Sequence, residues 1–169
     1  MQQRVDIGKT IAKFTPLFAI IGAPIVYLIL AGVFALGMMF IQAKTTFKRI
    51  LSVVAWTSAA TGIVGAVVNV AALMVRDPAE LRTLDPSQFG TIVPTNLGAF
   101  LASDTSPVLR ALASSLDVFT IWWLILLSIG FAAIAGSKKI TSGKARAMVF
   151  GFWVIFVLCK VGWAAAFGG

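Results

Sequence analysis

The sequence predicts an all-α fold, a polytopic transmembrane helical bundle with four spans. Its apolar residues form four long runs, and Lys160 is the only charged residue within them. A helix needs about 20 apolar residues to cross about 30 Å of hydrocarbon, and lipid offers backbone amides no partner outside a helix. Charged residues make up 12% of the chain, about half the usual fraction in soluble domains. The predicted spans of this single domain (1–169) are about residues 17–41, 50–75, 118–136 and 147–167.

The amino terminus is predicted to form a short interfacial helix over residues 1–14. Ile7, Ile11 and Phe14 share one helical face, and charged residues occupy the other, which is typical of a helix lying in the membrane surface. The first span follows and contains Pro24. Proline removes a backbone hydrogen bond and favours a kink, which is either a tolerated bend or a functional hinge.

The second span is rich in small residues, which let helix backbones approach closely in lipid. Gly62, Gly65 and Ala66 are therefore predicted to form a packing seam inside the bundle, with an oligomer interface as the alternative. Asn69 is the only amide side chain of this span. We expect it to form an interhelical hydrogen bond, and a substrate ligand is the alternative.

The long connection over residues 76–117 contains two helix starts. The stretch 77–80 (DPAE) has the pattern of a capping box and predicts a short helix through about Leu84. Ser106 and Pro107 start a second helix, which we expect to run along the membrane surface. Connections of this length are usually functional. The second helix places four apolar residues on one face: Val108, Leu109, Leu112 and Leu116.

The two short connections are basic and contain no acidic residue. Residues 44–49 carry three basic side chains, and residues 137–146 carry four. Cytoplasmic loops are enriched in Lys and Arg, so both connections are predicted to be cytoplasmic, with both termini on the other side. The net charge of +8 therefore indicates membrane topology and contact with anionic headgroups rather than nucleic-acid binding.

The sequence lacks the motifs of common catalytic and metal sites. It contains no histidine and a single cysteine, Cys159. It has no GxSxG or HExxH motif, no phosphate-binding loop and no pair of carboxylates within the spans. The sequence thus predicts a protein that is not an enzyme, with no catalytic residues, no metal and no cofactor.

Three polar residues are predicted to meet in one part of the bundle: Asn69, Asp117 and Lys160. Asp117 opens the third span, and Lys160 lies within the fourth, about 10 Å from its end. A charge in a membrane helix is costly unless it has a partner or faces water, which favours an Asp117–Lys160 ion pair. The alternatives are that Asp117 caps the third span and that Lys160 extends outward along Trp163.

Four sequence pieces together resemble a known family. They are TFKRILSVVAW (46–56), PTNLGAFL (94–101), SLDVFTIWWLILLSIGFA (115–132) and VFGFWVIFVLCKVG (149–162). In order and spacing they resemble the bacterial branch of the Yip-domain membrane proteins, named for the Ypt/Rab-GTPase-interacting proteins. The resemblance runs from about residue 15 to the end. It implies the bacterial cytoplasmic (inner) membrane and a fold of five spans, of which this chain supplies the last four, as a natural short form or as a fragment.

The family resemblance implies a function only in outline. Eukaryotic relatives act in vesicle formation and trafficking by binding prenylated small GTPases, and no segment here reproduces a GTPase-binding region. The resemblance implies a non-enzymatic membrane-organising or partner-binding protein. Its partners would be membrane lipids and other membrane proteins or further copies of itself. A small transporter or channel for an ion, lipid or amphiphile is the alternative, and an accessory subunit of a larger membrane complex is a further one.

Overall fold

The computed structural model describes residues 2–76, 93–102, 104–135 and 142–167, with side chains from residue 21 onward in the first range and from residue 143 in the last. Within these ranges the chain is helical and has no strand, as predicted. The elements are α1 (Gln2–Phe40), α2 (Phe47–Val75), a short 3-10 helix η1 (Leu97–Phe100), α3 (Pro107–Ser115), α4 (Val118–Ile134) and α5 (Ser142–Phe167).

Three described helices are long and apolar enough to cross a membrane: Ile21–Phe40, Phe47–Val75 and Gly143–Phe167. The 17-residue helix α4 is shorter. At 1.5 Å per residue it measures about 25 Å, which is at the lower limit for a span. The four helices coincide with the four predicted spans, and the prediction of a multi-pass helical bundle is confirmed.

Helix α1 differs from the prediction at its start. The predicted boundary after residue 14 is wrong, because one helix runs without a break from Gln2 to Phe40. It also continues through Pro24. A proline removes one hydrogen bond, and a membrane helix tolerates that loss.

The prediction for α3 is confirmed at its amino end. Ser106 caps the helix by accepting a hydrogen bond from the Leu109 amide at 3.4 Å, and Pro107 occupies the first turn. The helix predicted from 77 to about Leu84 lies outside the described residues. The four apolar residues predicted to share a face of α3 are all exposed, as a helix against lipid requires: Val108, Leu109, Leu112 and Leu116.

The bundle has two distinct ends. We call the end where α1 and α4 finish and α2 and α5 start the basic end, because it carries exposed Lys44 and Lys144. The opposite end, where α2 and α5 finish and α4 starts, is the loop end. At the basic end the Lys44 amide donates to the Ala135 carbonyl at 3.1 Å, which joins the α1–α2 turn to the last turn of α4.

The apolar core connects three helices through aromatic contacts. Phe34 of α1 packs against Phe131 of α4, with ring centroids 4.9 Å apart, and meets Phe152 of α5 edge-on at 5.9 Å. Such pairs stabilise a core beyond the area that they bury. The buried core residues are Ala31, Phe34, Met38, Ile50, Val54, Leu124, Leu127, Phe131, Ala135, Ala145 and Val149.

The closest helix approaches occur at two glycines outside the predicted seam. A Cβ built on Gly37 of α1 would overlap Phe152 and lie 2.8 Å from the Met148 sulfur of α5. A Cβ on Gly130 of α4 would lie 2.6 Å from Val53 Cγ1 of α2. A larger residue at either position would require Phe152 and Met148, or Val53, to shift.

The predicted packing seam on α2 is wrong for the described part of the chain. A Cβ on Gly62 or Gly65 would meet no described atom within 4 Å, and Ala66 is exposed. The buried residues of α2 are Ile50 and Val54, both in its first third. The helix is held at its start, and its small residues lie beyond the region where α4 packs against it.

Candidate functional site

The segment before η1 is hydrogen-bonded to the start of α4. The Leu97 amide donates to the Leu116 carbonyl at 3.2 Å, and the Val118 amide donates to the Thr95 carbonyl at 3.1 Å. The Thr95 hydroxyl also donates to the second carboxylate oxygen of Asp117. These bonds form one antiparallel bridge and fix the connection against the loop end.

Asp117 caps α4 and does not pair with Lys160. Its Oδ1 atom accepts a hydrogen bond from the Thr120 amide at 2.9 Å, which satisfies one of the free amides of the first turn. Since its other oxygen accepts from Thr95, both carboxylate oxygens are engaged. The capping alternative is therefore confirmed.

The 3-10 helix η1 packs closely on α3. Asn96 caps η1 by accepting from the Ala99 amide at 3.1 Å. A Cβ on Gly98 would lie 2.9 Å from the Ser114 Cβ, so only glycine allows this approach. The contact places η1 beside the last turn of α3, where Ser114 and Ser115 lie.

A first cavity, the α2 cavity, lies between α2, residues 93–99 and the start of α4. Its volume is about 690 Å³. Trp123 of α4 donates its indole N–H to Ser58 Oγ of α2 at 3.0 Å, which joins the two helices at the cavity wall. The α2 side is formed by small or polar residues: Ser58, Thr61, Gly62, Gly65, Asn69 and Arg76.

Asn69 does not form the predicted interhelical hydrogen bond. Its Nδ2 atom donates to the Gly65 carbonyl at 2.9 Å, one turn back in its own helix, since short polar side chains readily reach nearby backbone carbonyls. Its Oδ1 atom is buried and has no hydrogen-bond partner among the described residues. Asn69 thus leaves one acceptor beside the α2 cavity, and a buried acceptor without a partner is costly.

A second cavity, the Lys160 cavity, lies between α1, α3, α4 and α5. Its volume is about 560 Å³. The Lys160 ammonium donates to Ser114 Oγ at 2.9 Å and to Ser115 Oγ at 3.1 Å. Both serine hydroxyls donate in turn to the Ala111 carbonyl, at 3.1 and 2.8 Å. The last turn of α3 therefore holds the charged end of Lys160.

The predicted ion pair is wrong, because no carboxylate of the described residues lies within 4.0 Å of the Lys160 ammonium. The other alternative, that Lys160 extends outward along Trp163, stays a prediction. The side chain is partly buried, and its ammonium donates to Ser114 and Ser115.

The predicted polar trio is thus divided among three separate arrangements. Asn69 lines the α2 cavity, Lys160 lines the other one, and Asp117 caps the helix between them. Thr120 and Trp123 line both cavities, so the first half of α4 is the wall that separates them. All three polar residues lie at the loop end, but they form no common cluster.

Comparison with family models gives a match to the Yip1 domain over residues 3–164, nearly the whole chain. The chain belongs to the Yip1-domain family. Comparison with curated proteins and with solved structures finds no match. The family assignment agrees with the multi-pass helical bundle and confirms the resemblance to the Yip-domain family, while the bacterial branch stays a prediction.

Two sequence pieces that carried the resemblance meet in this Yip1 domain. The PTNLGAFL piece supplies Thr95, Asn96 and Gly98, and the SLDVF piece supplies Asp117. Thr95 and Asp117 are hydrogen-bonded, and Asn96 forms the bridge with Asp117. These pieces therefore build the loop end, with roles in capping and close packing.

The sequence analysis missed the serines that bind Lys160. Ser114 and Ser115 directly precede the third span, and their position two and three residues before the Asp117 cap was the available signal. Among the described residues, no group of three or more His, Cys, Asp or Glu side chains could hold a metal.

Proposed function

We propose that this Yip1-domain chain is a non-enzymatic membrane-organising protein that binds a transmembrane helix of another membrane protein. The observation that carries the proposal is the small-residue face of α2 at Gly62 and Gly65, which lines the α2 cavity and has no described atom within 4 Å of either Cβ position. In lipid, helices associate by close packing of small residues rather than by the hydrophobic effect. Helix α2 is long enough to span the bilayer, and its buried residues lie in its first third, so the described residues leave this face available.

The two sides of α2 suit different neighbours. Ile63 and Val67 are large, and 65% and 62% of their surfaces are exposed, which suits contact with acyl chains. The other side carries Gly62, Gly65 and the Asn69 oxygen that has no described partner. A polar group on a partner helix could bind the Asn69 amide once this side chain turns toward the α2 cavity, whereas an acyl chain could not.

The proposed location is the bacterial cytoplasmic membrane, with the basic end in the cytoplasm. The acid-free basic connections support this orientation.

An accessory subunit of a larger membrane complex would bind its neighbour through the same face of α2. The accessory-subunit alternative is therefore a special case of the proposal.

The second candidate function is transport of an amphiphile, and the Lys160 cavity favours it. The cavity combines an apolar lining with one ammonium group. The two functions differ in a direct assay, because a carrier should produce flux in liposomes that contain the purified chain alone. A partner-binding protein should produce none.

The proposal is tested by substituting α2 and measuring co-purification from native membranes. Gly65→Leu should abolish stoichiometric recovery of the partner, since the added side chain blocks close approach. Val67→Leu, on the lipid side, is the matched control and should retain the partner. Equal recovery with both variants would contradict the proposal. A homodimer lost in Gly65→Leu alone would identify a second copy as the occupant instead.

A further inference from the structure

We infer that the Lys160 cavity binds one anionic phospholipid, with its phosphate on the Lys160 ammonium and one acyl chain along α5. This inference concerns a ligand and a surface different from the helix-binding face of α2. It rests on the charge of Lys160, the lining of the cavity and its opening toward lipid.

Among the residues that the structure describes, the Lys160 ammonium has hydrogen-bond acceptors but no counter-charge. An ammonium has three N–H donors, and Ser114 and Ser115 accept two of them. The serine oxygens are neutral acceptors, and their own protons are donated to the Ala111 carbonyl. The third donor has no acceptor among the described residues, and no described carboxylate lies within 4.0 Å.

The environment of Lys160 favours an anion over a third neutral acceptor. The carboxyl end of α3 supplies a partial negative charge, but this is less than a full counter-charge. A charge inside a membrane protein is costly unless it is paired or hydrated. A phosphate would supply both the missing charge and a strong acceptor, and hydrogen bonds between charged groups are about twice as strong as neutral ones.

The depth of Lys160 matches that of a lipid phosphate. Ser115 lies two residues before Asp117, the cap of the uncharged helix α4. The serines and the ammonium therefore lie at the level where α4 begins, and the inference places the boundary between hydrocarbon and headgroups there.

The rest of the cavity suits an acyl chain. Its lining continues along α5 from Lys160 past Phe152 to Val149, eleven residues or about 16 Å along the helix. Apolar side chains of α1 and α4, including Phe34 and Leu124, form the other walls. Apart from Thr120 and Trp123, the lining beyond the ammonium and its two serines is apolar, which suits a hydrocarbon chain.

The cavity opens sideways toward the surrounding lipid. Val33 of α1 lines it and is 39% exposed, while Ile155 and Phe156 of α5 line it and are 58% and 66% exposed. A phospholipid could therefore enter from the bilayer between α1 and α5. One of its chains would occupy the cavity, and the second would remain in the bilayer.

The test compares lipid retention in nanodiscs of phosphatidylcholine that contain a small fraction of phosphatidylglycerol. Native mass spectrometry of the released protein counts the lipids that stay bound. The wild-type chain should retain one phosphatidylglycerol in preference to phosphatidylcholine. Lys160→Gln should lower this retention about tenfold, from the loss of a charge-assisted hydrogen bond. Lys144→Gln, an exposed lysine at the other end of α5, should retain lipid like the wild type.

Two competitors identify the source of the anion. Inorganic phosphate in excess should not displace the phospholipid, because it lacks the acyl chain. Laurate should displace it poorly. Displacement by either compound, equal retention by Lys160→Gln, or an equal loss in Lys144→Gln would overturn the inference.

A measurement on the wild-type chain keeps the inference testable if Lys160→Gln does not fold. Phosphatidylglycerol with a photoreactive acyl chain should label the α5 peptide that contains Phe152. Labelling by the phosphatidylcholine analogue should be much weaker. Equal labelling by the two lipids would overturn the inference.

Discussion

Lys160 donates a hydrogen bond to Ser114 Oγ at 2.9 Å, and this contact joins α5 to the last turn of α3. Ser115 accepts a second bond from the same ammonium at 3.1 Å. Ser114 and Ser115 lie 46 and 45 positions before Lys160 in the sequence. One charged side chain thus links the carboxyl-terminal span to the connection that precedes α4.

We predict that Lys160 and the two serines are energetically coupled. Lys160→Met and the double substitution Ser114→Ala/Ser115→Ala should each destabilise the bundle, and their combination should cost less than the sum. The expected coupling energy is about 1 kcal/mol, typical of hydrogen bonds in membrane helices. Unfolding in mixed micelles measures it through a double-mutant cycle. A cycle between Asp117→Ala and Lys160→Met is the control and should give a value near zero.

We predict that Asp117 acts as a helix cap whose charge is dispensable. Asp117→Ala should lower the free energy of unfolding by about 1 kcal/mol, the usual cost of losing a cap. Asp117→Asn should cost much less, because its amide oxygen can still accept from the Thr120 amide. Thermal unfolding in detergent compares the two variants. If Asn is as harmful as Ala, the negative charge itself is required and the capping account fails.

We predict that the glycines at close helix contacts differ sharply from those on α2. Gly130→Leu should cost roughly 1–3 kcal/mol by overpacking against Val53. Gly65→Ala should not destabilise the bundle. It should raise the free energy of unfolding by about 0.5–1 kcal/mol, because alanine has a higher helix propensity than glycine. Thermal unfolding of the purified chain, without partner, measures both. Equal destabilisation would mean that Gly65 is packed inside the bundle after all.

We predict that the two basic connections lie in the cytoplasm. In a Cys159→Ser background, Thr45→Cys and Ser142→Cys should resist a membrane-impermeant thiol reagent in intact cells and react after lysis. The reason is the enrichment of Lys and Arg in cytoplasmic loops. A cysteine at Asp104, in the long connection, is the control and should react from outside. Labelling of Thr45→Cys and Ser142→Cys in intact cells would show that the basic connections lie outside the cytoplasm and would contradict the predicted topology.

The sequence predicted the elements that depend on local signals. Apolar run length gave the four spans, and the Ser106-Pro107 pair gave the start of α3, because caps and spans are encoded by residues next to one another. Asp117 likewise lies directly before the span that it caps. The boundary at residue 14 failed, because α1 continues through Pro16, which separates the amphipathic segment from the apolar one, as it continues through Pro24.

The sequence could not assign contacts between distant elements. Composition identifies glycines that permit close packing, but it does not say which of them face a neighbour: Gly37 and Gly130 do, while Gly62 and Gly65 meet no described atom. The Lys160 ion pair failed for a similar reason. The predicted depths put Asp117 near Lys160. In the structure, however, both carboxylate oxygens of Asp117 accept hydrogen bonds from Thr95 and Thr120.

The most direct test of the account is a structure of the native complex, purified from membranes without displacing bound partners. The account predicts a helix of another protein packed against Gly62 and Gly65, with a donor within hydrogen-bond distance of Asn69 Oδ1. Density for lipid alone on this face of α2, in a complex that retains its partners elsewhere, would contradict it.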